Sequence, residues 1–229
     1  MMKCVKVMVL GWAIGVSAWA NTRPVTPTDG SLQTILDGLV VSGSIDAVQD
    51  QISRGLFTPG PSGGSVLSLI SSAMPSSDVW TIGLYDGVNP SSHAPVFMTT
   101  EGVGTYKFLS FMANGDIRVN FAKVASGFGE HFGFYASSTT DEVFSVDALN
   151  PASVASALIF QGDNATRMQL PGFSASVFSS NEFIVAFDLD GNANFSDFVF
   201  MAESIIPVPE PATLSLLTLC GAIAVRRWR

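Results

Sequence analysis

Between Phe187 and Phe198 the chain carries five oxygen-bearing side chains at short intervals: Asp188, Asp190, Asn192, Asn194 and Asp197. Steps of two and then three residues let a tight loop turn alternate side chains inward, and hard, flexible oxygen cages of this kind suit Ca2+. The stretch is not an EF-hand, because Gly191 stands at its fourth position instead of the sixth and Val199 at its twelfth, where a bidentate Glu is required. Asx residues also close turns for conformational reasons alone. A Ca2+ site and a metal-free hairpin turn are therefore both open readings.

Other chemistry-bearing residues are less well placed. Gly60-Pro61-Ser62-Gly63-Gly64 matches G-x-S-x-G, whose serine must sit on a sharp strand-to-helix turn. Pro59 and Pro61 interrupt the approach, so the segment reads as a linker. The two histidines, His93 in a loop and His131 at the opening of a strand, have no matched catalytic partners nearby in sequence. Asp141 and Glu142 are adjacent and would point opposite ways from an extended chain, a poor start for a glycosidase pair. Cys4 and Cys220 lie in the two terminal segments, which leaves the body without a disulfide, a zinc–thiolate site or a cysteine nucleophile.

The elements that must position these groups are mostly strands. Residues 21–65 read as a helical and linker segment: Ser31 can cap a helix carrying Leu32, Ile35, Leu36 and Leu39, and Ser44 a second one carrying Ile45, Val48 and Ile52. A Gly/Pro/Ser stretch at 58–65 closes this segment. Over residues 66–206, strands are predicted at 79–85, 96–99, 105–112, 116–121, 132–136, 143–146, 157–160, 183–187 and 198–202, with Asn114-Gly115 turning one into the next. Aromatic strands with Gly and Asn turns predict a mainly β fold, an antiparallel β-sandwich or jelly roll with short N-terminal helices.

Composition bounds the function. A chain of 229 residues with 47% hydrophobic content and 17 Phe can bury a substantial core, which excludes disorder. Its formal charge is −8, and residues 21–206 hold six basic against 18 acidic groups, so a nucleic-acid partner is excluded for want of clustered Lys and Arg. Ten carboxylates between Glu130 and Ile206 face Arg167 alone. Such a balance favours divalent cations, or serves as a solvated acidic face.

The two ends differ from the middle. Lys3 and Lys6 precede an apolar stretch at 7–16, and Ala18 and Ala20 straddle Trp19 in the small-x-small pattern of a signal-peptidase site. Residues 1–20 are expected to be a signal peptide, with the mature chain beginning at Asn21. At the far end an apolar run at 212–225 leads directly to Arg226, Arg227, Trp228 and Arg229, whose charges would stay cytoplasmic. Its 14 residues span about 21 Å as helix, short of a bilayer's ~30 Å core, so a permanent anchor fits poorly. Before it stands Val208-Pro209-Glu210-Pro211, where two prolines hold the backbone extended and accessible.

Residues 207–229, with Pro-Glu-Pro, an apolar helix and a terminal Arg cluster in that order, resemble the PEP-CTERM sorting signal of Gram-negative bacteria that make exopolysaccharide. The resemblance implies processing by a membrane exosortase after transient insertion in the inner membrane, then release to the cell surface or extracellular matrix. A second resemblance covers about 75 residues from Gly129 to Glu203. Phe183-Ile184-Val185-Ala186-Phe187-Asp188-Leu189-Asp190-Gly191 and Phe195-Ser196-Asp197-Phe198-Val199-Phe200 are similar to the closing strands of an uncharacterised extracellular bacterial domain often carried by PEP-CTERM proteins. This chain departs from that pattern in a reduced first carboxylate pair, Asn194 in place of a common Asp, and Ser196 in place of Asn.

These features lead to an exported, non-enzymatic structural or adhesive protein of the surface or biofilm matrix. A Ca2+-dependent carbohydrate-binding module is the alternative, with Trp80, Tyr85, Tyr106 or Tyr135 stacking on sugar rings. A secreted hydrolase would need a concave pocket containing His131 or several converging carboxylates.

Overall fold

The computed structural model describes residues 23–75 and 78–209. The expected signal peptide and, of the sorting motif, Glu210, Pro211, Arg226, Arg227 and Arg229 lie outside the described residues, whereas Val208 and Pro209 lie within them. In chain order the elements begin with α1 (Ser31–Leu39), β1 (Val40–Ser42), β2 (Leu56–Pro59), β3 (Gly64–Ser72), β4 (Thr81–Asp86) and β5 (His93–Met98). Next come β6 (Tyr106–Phe111), β7 (Ile117–Val119), β8 (Ala122–Ala125), β9 (Phe132–Ser137) and β10 (Glu142–Phe144). The chain continues through β11 (Ala157–Gln161), β12 (Arg167–Met168), β13 (Ser176–Val177), β14 (Glu182–Phe187), β15 (Phe198–Glu203) and β16 (Ile205–Pro207).

Every strand pairing among the described residues is antiparallel. One sheet runs β16-β2-β9-β4-β5 with β10 also on β9, the other runs β11-β14-β15-β3-β6-β7-β8, and a small third sheet is β1-β12-β13. The first two share a core in which Phe57, Ile82, Leu84, Phe132 and Phe134 meet Leu67, Leu69, Phe183, Val185, Phe187, Phe198 and Phe200. Rings interlock across it at 5.0 Å (Phe57–Phe183) and 5.2 Å (Phe134–Phe200), in edge-on geometry that adds to area burial.

β14 and β15 read as unbroken apolar runs because both of their faces are covered. Phe183, Val185, Phe198 and Phe200 turn toward the shared core, while Ile184, Ala186, Val199 and Met201 turn outward onto Leu32, Leu36 and Leu39 of α1. A period of two that is apolar on both faces is the expected signature of a strand between two layers.

All nine expected strands overlap observed ones, with ends that differ by up to three residues, and the mainly β, antiparallel reading holds. The N-terminal segment needs correction. Ser31 does not cap α1; Gly30 occupies the N-cap without a side-chain bond, and the Ser31 amide donates instead to Asp29 Oδ1 at 2.8 Å. The expected second helix at 44–54 is a single turn, in which Asp46 Oδ1 accepts the amides of Val48 and Gln49 and Gln51 then bridges to Phe160. The stretch at 58–65 is no spacer, since it holds the end of β2 and the start of β3 and carries the chain from one main sheet to the other. β3 escaped the sequence pattern because serines interrupt it; of these, Ser65 and Ser72 donate to the carbonyls of Glu203 and Thr99. No helix among the described residues is long and apolar enough to cross a membrane.

Candidate functional site

The β14–β15 hairpin closes on the pair Phe187–Phe198, so the residues just beyond it, Asp188 and Asp197, emerge side by side. The connection stays compact through left-handed backbone at Gly191 (φ 74°), Ala193 (62°) and Phe195 (56°), with the Phe195 ring buried in the α1 layer as an anchor. Gly191 is the inexpensive choice for such a turn. Asp188, Asp190 and Asp197 present carboxylate oxygens within 4.8 Å of one another. Asp188 and Asp197 are buried, at 7% and 5% exposure, while Asp190 lies at the surface.

Backbone amides hold part of this charge. Asp197 Oδ2 accepts from Leu189 at 2.7 Å and Asp190 at 3.2 Å, and Asp188 Oδ2 accepts from Ala193 at 3.0 Å. Asp188 Oδ1 is buried with no hydrogen-bond partner. Burial, reinforced by the charges of Asp197 and Asp190 and opposed by the Ala193 amide, pushes the Asp188 carboxyl up to about 6. Asp197 is likewise raised, first by burial and then by Asp190, against the Leu189 amide. A raised carboxyl binds protons more tightly folded than unfolded, so without a cation this site loses stability as pH climbs from about 4 to about 6. The cluster can relieve its repulsion by sharing a proton or by binding a cation.

Of the five expected ligands the fold thus brings the three aspartates together. Asn192 Oδ1 and Asn194 Oδ1 instead accept the amides of Asn194 and Ser196, at 2.8 and 2.9 Å, and the Asn192 amide group donates to Asp190 Oδ2 at 2.7 Å. Both asparagines shape the loop as Asx turns, as does Asp190, whose Oδ1 accepts the Asn192 amide at 3.1 Å.

The other candidates are dispersed. Ser62 sits in an exposed turn that runs from strand to strand, with its hydroxyl bonded to Gly64. That path lacks the helix a nucleophile elbow requires. His93 stacks on Tyr135 at 4.0 Å, with Nε2 2.8 Å from the Pro90 carbonyl and 3.5 Å from Glu142. Trp80, Tyr85 and Tyr135 are buried, which corrects three of the four expected sugar-stacking residues; Tyr106 alone of them is exposed, at 49%. Tyr85 and Tyr135 instead fill a cluster with Phe144 on the outside of the β4–β9 sheet.

Sequence reasoning missed the buried Arg23–Asp147 ion pair at 2.9 Å, whose partners are 124 residues apart and share no local pattern. It also missed Asn150, which is buried and bonds Phe144 on both backbone sides; the Asn-Pro dipeptide at 150–151 was its visible signal. The carboxylates are not a uniform solvated face, since Asp86, Asp116, Asp147, Asp188 and Asp197 are all buried.

No family model and no curated protein matches this chain. Among solved structures, the Chromobacterium violaceum lectin CV2L, in complex with alpha-methyl-fucoside, is similar at 10% sequence identity with a TM-score of 0.30, covering 68% of this chain and 98% of the lectin. A TM-score at that level carries neither fold nor ligand across to this chain.

Proposed function

We propose that this chain is an exported, non-enzymatic structural or adhesive β protein, delivered through a PEP-CTERM tail to the surface or exopolysaccharide matrix of a Gram-negative bacterium. The observation that supports this reading is that the last described strand pairs directly before the Pro-Glu-Pro motif. β16 pairs with β2 at the edge of its sheet, and the Val208 amide donates to the Leu56 carbonyl at 2.9 Å, one residue before the Pro-Glu-Pro motif begins at Pro209. Proline has no amide to continue that ladder. Exosortase cleavage beyond Pro209 would leave every strand of the body paired, and signal-peptidase cleavage after Ala20 would leave Arg23 in place to reach Asp147. Mass spectrometry of the protein recovered from the culture medium should give an N-terminus at Asn21 and a C-terminus near Pro209. Released protein that retains Arg229 would refute the sorting claim.

One observation favours carbohydrate binding as a second reading. Tyr106, Phe108 and Phe173 are 42–49% exposed and adjoin, with ring centroids 5.6 Å (Tyr106–Phe108) and 5.8 Å (Tyr106–Phe173) apart. Exposed rings of this kind offer apolar faces to sugars. Binding on a glycan array that disappears in Tyr106→Ala would support it, and an array without signal would remove it.

A further inference from the structure

We propose that Asp188, Asp190 and Asp197 bind one Ca2+ ion, which fastens the 188–197 loop and, through it, the N-terminal segment. This goes beyond delivery and holds or fails independently of it. The deciding residue is Asp188: it is only 7% exposed, one carboxylate oxygen accepts from Ala193, and the other, Oδ1, is buried with no hydrogen-bond partner. A buried anionic oxygen left without a donor or cation is strongly disfavoured. The other two aspartates bring carboxylate oxygens within 4.8 Å of the Asp188 carboxylate, and the ion pairs among the described residues (Arg23–Asp147, His93–Glu142, Lys107–Glu101, Lys123–Asp116) involve none of the three.

The spacing fits the cation. Ca–O distances of about 2.3–2.6 Å put opposite ligands roughly 4.6–5.2 Å apart, so carboxylate oxygens lying within 4.8 Å of one another need only small side-chain adjustment to share one Ca2+. Mg2+ demands shorter, near-octahedral contacts and keeps its waters. The protein supplies the three anionic carboxylates, of which Asp190 also accepts from Asn192, the neutral Asn192 and Asn194 oxygens stay on loop amides, and water completes the shell on the exposed Asp190 side.

The ion's effect would reach beyond the loop. The Thr28 amide donates to the Ala193 carbonyl and its hydroxyl to the Asn192 carbonyl, both at 2.9 Å. Ala73 donates to the Asp197 carbonyl at 2.8 Å, and the Asp188 amide to Ser156 at 3.0 Å. Three separate segments, at Thr28, Ala73 and Ser156, therefore meet on the loop that the ion would stiffen.

The test uses the full chain, stripped with chelator and titrated with Ca2+ by calorimetry and thermal melting. A single site is expected, with Tm rising about 5–10 °C at a hundredfold excess over Kd. Ca2+ should also slow hydrogen exchange at the Thr28 amide. Asp190→Asn, at an exposed position, should melt at or slightly above the parent in chelator and lose Ca2+ affinity at least tenfold. The proposal is overturned by no heat and no Tm change up to about 10 mM Ca2+, tenfold above the weakest extracellular sites. Parental affinity in Asp190→Asn, or equal affinity for Mg2+, would overturn it as well.

Discussion

Phe200→Ala should lower the unfolding free energy by about 3–5 kcal/mol, read as a reduced urea midpoint at unchanged slope. Phe200 is fully buried on β15, whose neighbours are β14 on one side and β3 on the other. Its ring contacts Phe134 at 5.2 Å, Phe198 at 6.1 Å, Phe97 at 6.2 Å and Phe187 at 6.5 Å, so truncation opens a cavity bordered by both main sheets. Backbones tied into ladders on both sides cannot collapse into that space, which places the cost toward the upper part of the range. Phe121→Ala is the control: Phe121 is 79% exposed, and its loss should change stability by less than about 0.5 kcal/mol. A Phe200→Ala cost near that of the control would mean that the two sheets do not share one tightly packed core.

The same strand shows what was legible in the sequence. Apolar runs bounded by Gly, Asn and Asp mark β14, β15, β11 and β9, because deeply buried strands need few polar residues and the turns between them need special backbone. β3 was illegible: its serines look like linker chemistry until a partner carbonyl on a strand more than a hundred residues away is known to receive one of them. The turn at 46–50 misled in the opposite direction. Its apolar spacing suits a helix, yet Asp46 bonds the two amides that would begin one, and the local side-chain bond prevails over periodicity. At the candidate site, residue type and spacing identified the loop, since register alone sets Asp188 beside Asp197. Which oxygens stay free was not readable, because Asx turns at Asn192 and Asn194 consume ligands that look equivalent in the sequence.

Asp197→Ala and Asp197→Asn should separate the structural from the electrostatic part of that loop. Alanine strands the amides of Leu189 and Asp190, which now donate to Asp197 Oδ2 at 2.7 and 3.2 Å, at about 1–3 kcal/mol for each that stays buried. The expected loss is about 2–4 kcal/mol in chelator. Asparagine keeps an oxygen to accept those amides and removes a charge beside Asp188, so the ion-free protein should unfold at the parent's urea concentration or above it. In the parent, Asp188 titrates near 6 in the fold, and stability in chelator should fall from about pH 4 to about pH 6.5. With the Asp197 charge gone, Asp188 ionises more readily, so Asp197→Asn should show a smaller fall over the same interval. Denaturation curves of the three proteins at both pH values check this directly. If Asp197→Asn were as unstable as Asp197→Ala, the carboxylate's charge rather than its accepted hydrogen bonds would be holding the loop, and the repulsion assigned to this cluster would be wrong.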